Sequence, residues 1–329
     1  GGALDRLPAG ALDVPDTCYW APEVSYDNGR FYMYYSVGNE EHMQIRVAVA
    51  THPAGPFVDR GLRLTPEPFA IDAHVFTDDD GARYLFYATD DLTRDRVGTG
   101  TAMDRLVDWF TLAGEPRPVT RAKFDWQIYD PKREAKGGAC WHTIEGPSVI
   151  KHDGRYYQFF SGGNWQNDTY GVGYGVTTDL EAPREWDQPC DGDAFLPLLR
   201  SRPEAGVYGP GHNSIVRGPD NREQFVVYHR WDLDTQQRIL AIDRLDWVDG
   251  APVVRGPTSA PQPDPAAPQI VGFAAFERAE GVEVDAGQVS PGRGRRSRIG
   301  VVAGHTGGGS ARLAVRQVDR ATAIGSPHR

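Results

Sequence analysis

The sequence predicts an all-β propeller, and three observations carry that expectation. The 329-residue chain holds 38 glycines, 25 prolines and 11% aromatic residues, so turn formers and strand formers are both plentiful. It has no long run of helical periodicity. One hairpin pattern also recurs four times: a polar strand head, a short apolar run, a turn built on Asp, Asn or Gly, and an aromatic return strand.

Residues 1–19 read as loop. The first copy spans 20–38, turning at Asp27-Asn28-Gly29-Arg30, and a third strand follows over 44–50. The second runs 71–88 with its turn at Asp78-Asp79-Asp80-Gly81, and the third runs 143–163, turning at Lys151-His152-Asp153-Gly154. A strand over 170–176 completes the third copy; the fourth spans 211–229 and is followed by a strand over 239–245 that ends at Asp249-Gly250. Aligned on a Val or Ile of each opening strand, the copies begin at Val24, Val75, Val149 and Ile215. The intervals are 51, 74 and 66 residues, each long enough for a four-stranded unit with an insertion. Repeated hairpins of this spacing are the signature of a propeller, with a β-sandwich as the competing architecture.

In a propeller the opening strands line the central channel, so residues at their heads converge. Three positions before the aligned residue stand Ala21, Asp72, Gly146 and His212, with Glu145 one step earlier in the third copy. Asp72, Glu145 and His212 are therefore expected in one pocket.

Beyond Pro252 the character changes. Residues 1–258 read as the propeller, and 259–329 as a proline-rich linker followed by an incomplete accessory domain or a disordered tail, Gly/Arg-rich at its end. The formal net charge of -10 argues against a nucleic-acid partner. No apolar run approaches the roughly 18 residues needed to cross a membrane as a helix. Cys18, Cys140 and Cys190 are odd in number and irregularly spaced, which is neither a disulfide framework nor a metal motif, and at most one pair could bridge. The compartment stays open between a secreted and a cytoplasmic bacterial protein.

Five motifs in order, Trp20-Ala21-Pro22-Glu23-Val24, Ile71-Asp72-Ala73-His74-Val75-Phe76, Thr143-Ile144-Glu145-Gly146-Pro147, Gly209-Pro210-Gly211-His212-Asn213-Ser214 and Ile242-Asp243-Arg244-Leu245-Asp246-Trp247, resemble those of glycoside hydrolase family 43. The resemblance covers about residues 18–258. It implies a five-bladed propeller that hydrolyses α-L-arabinofuranosyl or β-D-xylosyl linkages of plant-wall polysaccharides with inversion. The implied partner is a pentose-containing oligo- or polysaccharide. Glu145 would be the general acid and Asp72 the carboxylate that raises its pKa. Trp20, His74, Trp165, Tyr208 and Arg238 would contact substrate. His212 would lie at the channel base, where family members often place a water-coordinated calcium or sodium ion; the chemistry itself needs no cofactor.

Inversion requires one protonated carboxyl and one ionised carboxylate about 6.5 to 9.5 Å apart, the second activating a water. A proton donor working near neutral pH needs its pKa raised by burial or by a like charge, which gives Asp72 a physical role. The family's general base is an Asp at the head of a first blade, upstream of the Trp-Ala-Pro motif. The 19 residues before Trp20 contain no hairpin copy, and Asp5, Asp13 and Asp16 all sit in loop-like sequence. The expectation is four blades of five, with the base unidentified. A catalytically silent, carbohydrate-binding propeller is the rival reading.

Overall fold

The computed structural model describes residues 2–4, 8, 10–11, 14–189 and 197–266, together with the backbone of four short strands further on. Asp5, Asp13 and Cys190 lie outside the described residues, as does most of the Gly/Arg-rich end. Cys18 and Cys140 are exposed free thiols.

Four antiparallel sheets follow one another along the chain. Blade 1 is β1 (Cys18–Asp27), β2 (Arg30–Gly38), β3 (Met43–Ala50) and β4 (Val58–Arg63), paired in that order. Blade 2 begins with β5 (Ala70–Thr77), β6 (Arg83–Asp91) and β7 (Gly98–Asp108); β8 (Thr111–Leu112) and β9 (Arg117–Thr120) both pair with β7. An excursion then forms β10 (Ile128–Arg133) and β11 (Ala139–His142), which joins β7 in parallel at His142 and Gly98. Blade 3 is β12 (Ile144–His152), β13 (Arg155–Gly162) and β14 (Gly171–Thr177). Blade 4 is β15 (Tyr208–Arg217), β16 (Gln224–Asp232), β17 (Gln237–Val248) and β18 (Ala251–Val254). Two further antiparallel pairs lie beyond: β19 (Glu283–Asp285) with β20 (Gln288–Ser290), and β21 (Ser297–Gly304) with β22 (Arg312–Asp319).

The Asn28-Gly29 and Asp153-Gly154 turns have positive φ at both residues, as two-residue hairpins between right-twisted strands require. The core lies between blades, because side chains alternate across each strand. On β13, Tyr156 faces blade 2 in a cluster with Phe76, Phe86 and Met103. Its neighbour Tyr157 faces blade 4, packing with Val226, Tyr228 and Leu245. Blades 1 and 2 meet through Tyr34, Ile45 and Val47 against Ala73, Leu85 and Tyr87.

The four opening strands share one irregularity. Each pairing slips by a bulge at the strand head: between Trp20 and Glu23, Ile71 and His74, Glu145 and Ser148, and Gly211 and Ser214. Ala21, Asp72, Gly146 and His212 sit in these bulges with φ of 43°, 58°, 58° and 50°. A bulge removes backbone groups from the ladder, and freed N–H groups need other acceptors. The preceding blade supplies them. Asp72 N donates to Ser36 Oγ at 3.2 Å, Gly146 N to Asp72 Oδ2 at 3.0 Å, and His212 N to Ser161 Oγ at 2.7 Å. Three residues on, Val75 N donates to Glu23 Oε1, Val149 N to His74 Nε2, and Ile215 N to Ser148 Oγ. These two sets of hydrogen bonds fix neighbouring inner strands in register.

β1 packs beside β5, β5 beside β12 and β12 beside β15. No comparable packing joins β15 back to β1 among the described residues, so the blades form an open arc. Apolar side chains stay exposed at both ends of it: Val24 and Tyr26 on β1, Val216 on β15, and Leu240 and Ile242 on β17. The fifth blade implied by the resemblance is not among the described residues.

Candidate active site

The bulges turn the heads of β5, β12 and β15 toward one another. Asp72 is buried, and its Oδ2 accepts the N–H of Gly146, placing the carboxylate against the residue that follows Glu145. His212 packs over the same glycine: a Cβ added at Gly146 would lie 3.5 Å from the His212 ring. The expected convergence of Asp72, Glu145 and His212 is therefore present. Asp16 is exposed in a turn ahead of β1, and the strand-head position of β1 is Ala21.

Glu145 Oε1 accepts a hydrogen bond of 2.6 Å from the Tyr170 hydroxyl. Burial, and next the nearby Asp72 carboxylate, push the Glu145 carboxyl up to about 7; the Tyr170 bond, His212 and Arg238 pull the other way. Burial also raises Asp72, opposed by His212 and the Gly146 N–H. Two carboxyls confined together resist joint ionisation, so one proton is retained near neutral pH.

This strain has a sign in stability. A carboxyl whose folded pKa lies above its unfolded value stabilises the fold only while protonated; that contribution fades as pH rises through the folded value. Glu145→Gln keeps an acceptor for Tyr170 and removes the charge. It is expected to exceed wild type by about 1–3 kcal/mol above about pH 7, and to lose that advantage below about pH 4. Urea denaturation at the two pH values checks this.

Residues 8–252 match the model of glycosyl hydrolases family 43. The chain belongs to that family. It is 26% identical over 220 residues to an extracellular exo-α-(1→5)-L-arabinofuranosidase of Streptomyces avermitilis, covering 64% of this chain and 42% of that protein. The enzyme of the same name from Streptomyces chartreusis is 29% identical over 221 residues, covering 64% and 62%. The chain thus spans less than two thirds of the length of these relatives. A crystal structure of a thermostable family-43 glycoside hydrolase superposes with a TM-score of 0.65 at 33% identity, covering 76% of this chain and 78% of that one.

Around the family 43 carboxyls the expected wall residues divide. Trp165 stacks on Trp231 with centroids 6.3 Å apart, and the Arg238 guanidinium lies 4.9 Å from the centre of the Trp165 ring. Arg238 also acts electrostatically on Glu145, which brings this stack to the site. Tyr208 is half-buried on β15 and pairs with Trp231 across the ladder. Trp20, partly buried, packs on Met43, Phe69, Ile71 and Ala88, in the seam between blades 1 and 2.

His74 is committed to the scaffold. Its Nδ1 pairs with Glu23 at 2.8 Å and its Nε2 accepts the Val149 N–H at 3.0 Å, so neither ring nitrogen is free for a sugar hydroxyl. The substrate contact implied for His74 gives way to a structural role, shared by position with Glu23 and Ser148.

Several neighbours of Glu145 escape a reading of the sequence. Tyr170 donates to it, Tyr129 lies within its electrostatic reach, and His229 stacks on Tyr170. Burial first, then Arg238 and His212, push His229 down to about 3, so this imidazole is neutral and adds no positive charge beside the acid.

Proposed function

We propose that this propeller hydrolyses α-L-arabinofuranosyl or β-D-xylosyl linkages of plant-wall polysaccharides or their oligosaccharides, with inversion, using Glu145 as general acid. The observation that carries the reading is the pairing of a half-buried Glu145, raised to about 7, with the buried Asp72 at adjoining strand heads. Glu145 passes its proton to the departing glycosidic oxygen as the bond to the anomeric carbon breaks. Water attacks that carbon from the opposite face and yields a proton to a base. Asp72 keeps Glu145 protonated near neutral pH, and the Trp165–Trp231 stack offers flat apolar faces to sugar rings while Arg238 reaches toward hydroxyls. The names of the Streptomyces relatives support the arabinofuranosyl choice.

His212 would hold a hydrated calcium or sodium ion. Among the described residues no three His, Cys, Asp or Glu side chains gather as metal ligands. Such hard cations take oxygen donors, so waters would fill the coordination and the imidazole would anchor one of them. No step above passes through that ion.

A second reading, a carbohydrate-binding propeller without turnover, is favoured by the strand heads, which among the described residues carry Ala21, Asp72, Glu145 and His212 and so no carboxylate beyond the acid and its modulator. Assays on nitrophenyl α-L-arabinofuranoside and β-D-xyloside, run beside calorimetry with arabino- and xylo-oligosaccharides, separate the two. Turnover of either glycoside supports the hydrolase; binding without turnover supports the silent propeller. Asp72→Asn tests the tuning directly. Removing the like charge lowers the Glu145 pKa, so the alkaline limb of the pH–rate profile should move to lower pH by about one unit. An unmoved limb would remove Asp72 from this role.

A further inference from the structure

Glu145 is held by a hydrogen bond from Tyr170, and Ser161 acts on that phenol in turn. The backbone N–H of His212 donates to Ser161 Oγ at 2.7 Å. That bond uses Ser161 as an acceptor and leaves its single proton free to donate. The Tyr170 O–H donates to Glu145 Oε1 at 2.6 Å, and the Ser161 hydroxyl opposes the rise that burial gives the phenol. The two bonds each have a fixed direction, the first from a backbone donor that cannot reverse and the second from the phenol to the carboxyl.

Both side chains are held rigidly. Ser161 is 0% exposed and Tyr170 1%. The Tyr170 ring stacks on His229, with centroids 5.6 Å apart and planes 17° from parallel. The ring also lies against the backbone of Gly211, where an added Cβ would fall 2.0 Å from it. Only glycine leaves room there, so the ring is fixed in place while its hydroxyl points at the carboxyl.

We propose that Tyr170, oriented by Ser161, is a positioning residue that reserves Glu145 Oε1 as an acceptor, so that the transferable proton resides on Oε2. The inference rests on the reading of Glu145 as general acid and names which of its oxygens does the work. As the Oε2–H bond breaks, the proton passes to the leaving glycosidic oxygen. The electron pair of that bond stays on the carboxylate, and the pair of the cleaved C–O bond goes to the departing oxygen. The charge that develops is shared by both oxygens, and the Tyr170 donor already points at Oε1. A hydrogen bond to an ionised acceptor is about twice as strong as a neutral one, so the Tyr170 bond tightens as the proton leaves.

The charged and titratable groups facing Glu145 are Asp72 from β5, Tyr129 from β10, His212 from β15 and Arg238 from β17, besides Tyr170 just ahead of β14. Among the described residues, Tyr170 is the side chain that donates a hydrogen bond to this carboxyl, and Asp72, His212 and Arg238 act on it through charge. Loss of Tyr170 therefore raises the Glu145 pKa, whereas loss of the Asp72 charge lowers it.

The test is infrared spectroscopy of the full chain in mildly acidic solution, where Glu145 is protonated. Its carbonyl stretch is the band missing from Glu145→Gln. In Tyr170→Phe that band should move to higher wavenumber, because Oε1 no longer accepts a hydrogen bond. Ser161→Ala should move it the same way by less, and carries the test alone should Tyr170→Phe not fold. A band unmoved in both variants overturns the proposal. On arabinofuranosides the same Tyr170→Phe change should slow hydrolysis of an alkyl leaving group about 10- to 100-fold and spare a nitrophenyl one. Equal losses on both would also overturn it. The underlying reading fails separately, if Glu145→Gln keeps wild-type rates.

Discussion

Glu145→Gln is expected to lower turnover of alkyl and oligosaccharide linkages by about 10²–10⁴-fold while leaving sugar affinity within about threefold. The amide matches the carboxyl in shape and still accepts from Tyr170, so the pocket is preserved and only the mobile proton is lost. A general acid matters most when the departing oxygen is a poor leaving group. The deficit should therefore shrink on a dinitrophenyl glycoside, whose phenolate departs unaided. Steady-state kinetics on the two substrate types, with calorimetry for affinity, check the expectation. An equal loss on both would mean that Glu145 shapes the pocket rather than donating a proton.

The largest expected stability effect lies in blade 1. Arg46 and Asp59 form a bidentate pair at 2.6 and 3.1 Å, with side chains 2% and 7% exposed. Tyr35 and the Gly61 N–H complete the shell around Asp59 at 2.5 and 2.7 Å. Burial alone would raise the Asp59 pKa, but the bonds from Arg46, Tyr35 and Gly61 hold it below the ordinary carboxylate range. Arg46→Met strands that charge, and should cost about 3–5 kcal/mol in chemical denaturation near neutral pH. Adding Asp59→Leu should recover most of the loss, since an apolar pair of similar volume replaces a buried ion pair at little cost. A group with a depressed folded pKa stabilises above its unfolded value and loses that contribution as pH falls through the folded one. The deficit of Arg46→Met should therefore narrow in acid. The consequence reaches the site, because blade 1 carries Ser36, the acceptor for the Asp72 N–H.

What the sequence revealed and what it hid follow from the range of the interactions. Hairpins are local, so the turns at Asn28-Gly29 and Asp153-Gly154 and the strands beside them could be read directly. Aligning the copies picked out Ala21, Asp72, Gly146 and His212, and these same four residues occupy the bulges with positive φ. The meeting of Asp72, Glu145 and His212 followed from that alignment and the geometry of a propeller.

His74 was misread, although its signal was present. Two positions after each bulge residue stand Glu23, His74, Ser148 and Ser214, polar side chains inside otherwise apolar runs. The first three accept N–H groups of the next blade, so the repeated polarity reports blade-to-blade bonding rather than sugar contact. Tyr170 could not be found in this way. Its approach to Glu145 depends on the register of β13 against β14, in which Gly162 faces Gly171. The excursion through β10 and β11 was equally hidden, because its parallel junction at His142 and Gly98 joins positions far apart in the chain. β4 is short and mostly exposed, and its sequence lacks the alternation that marks a half-buried strand.

The central claim is that Glu145 is a proton donor whose pKa is set by burial and by Asp72. Its most direct test is an isotope-edited infrared titration of the Glu145 carboxyl, in the wild-type chain and in Asp72→Asn. The account predicts a wild-type midpoint near the value of about 7 given by the site's geometry, and a lower one in Asp72→Asn. A midpoint in the ordinary glutamate range, unchanged by that substitution, would contradict it.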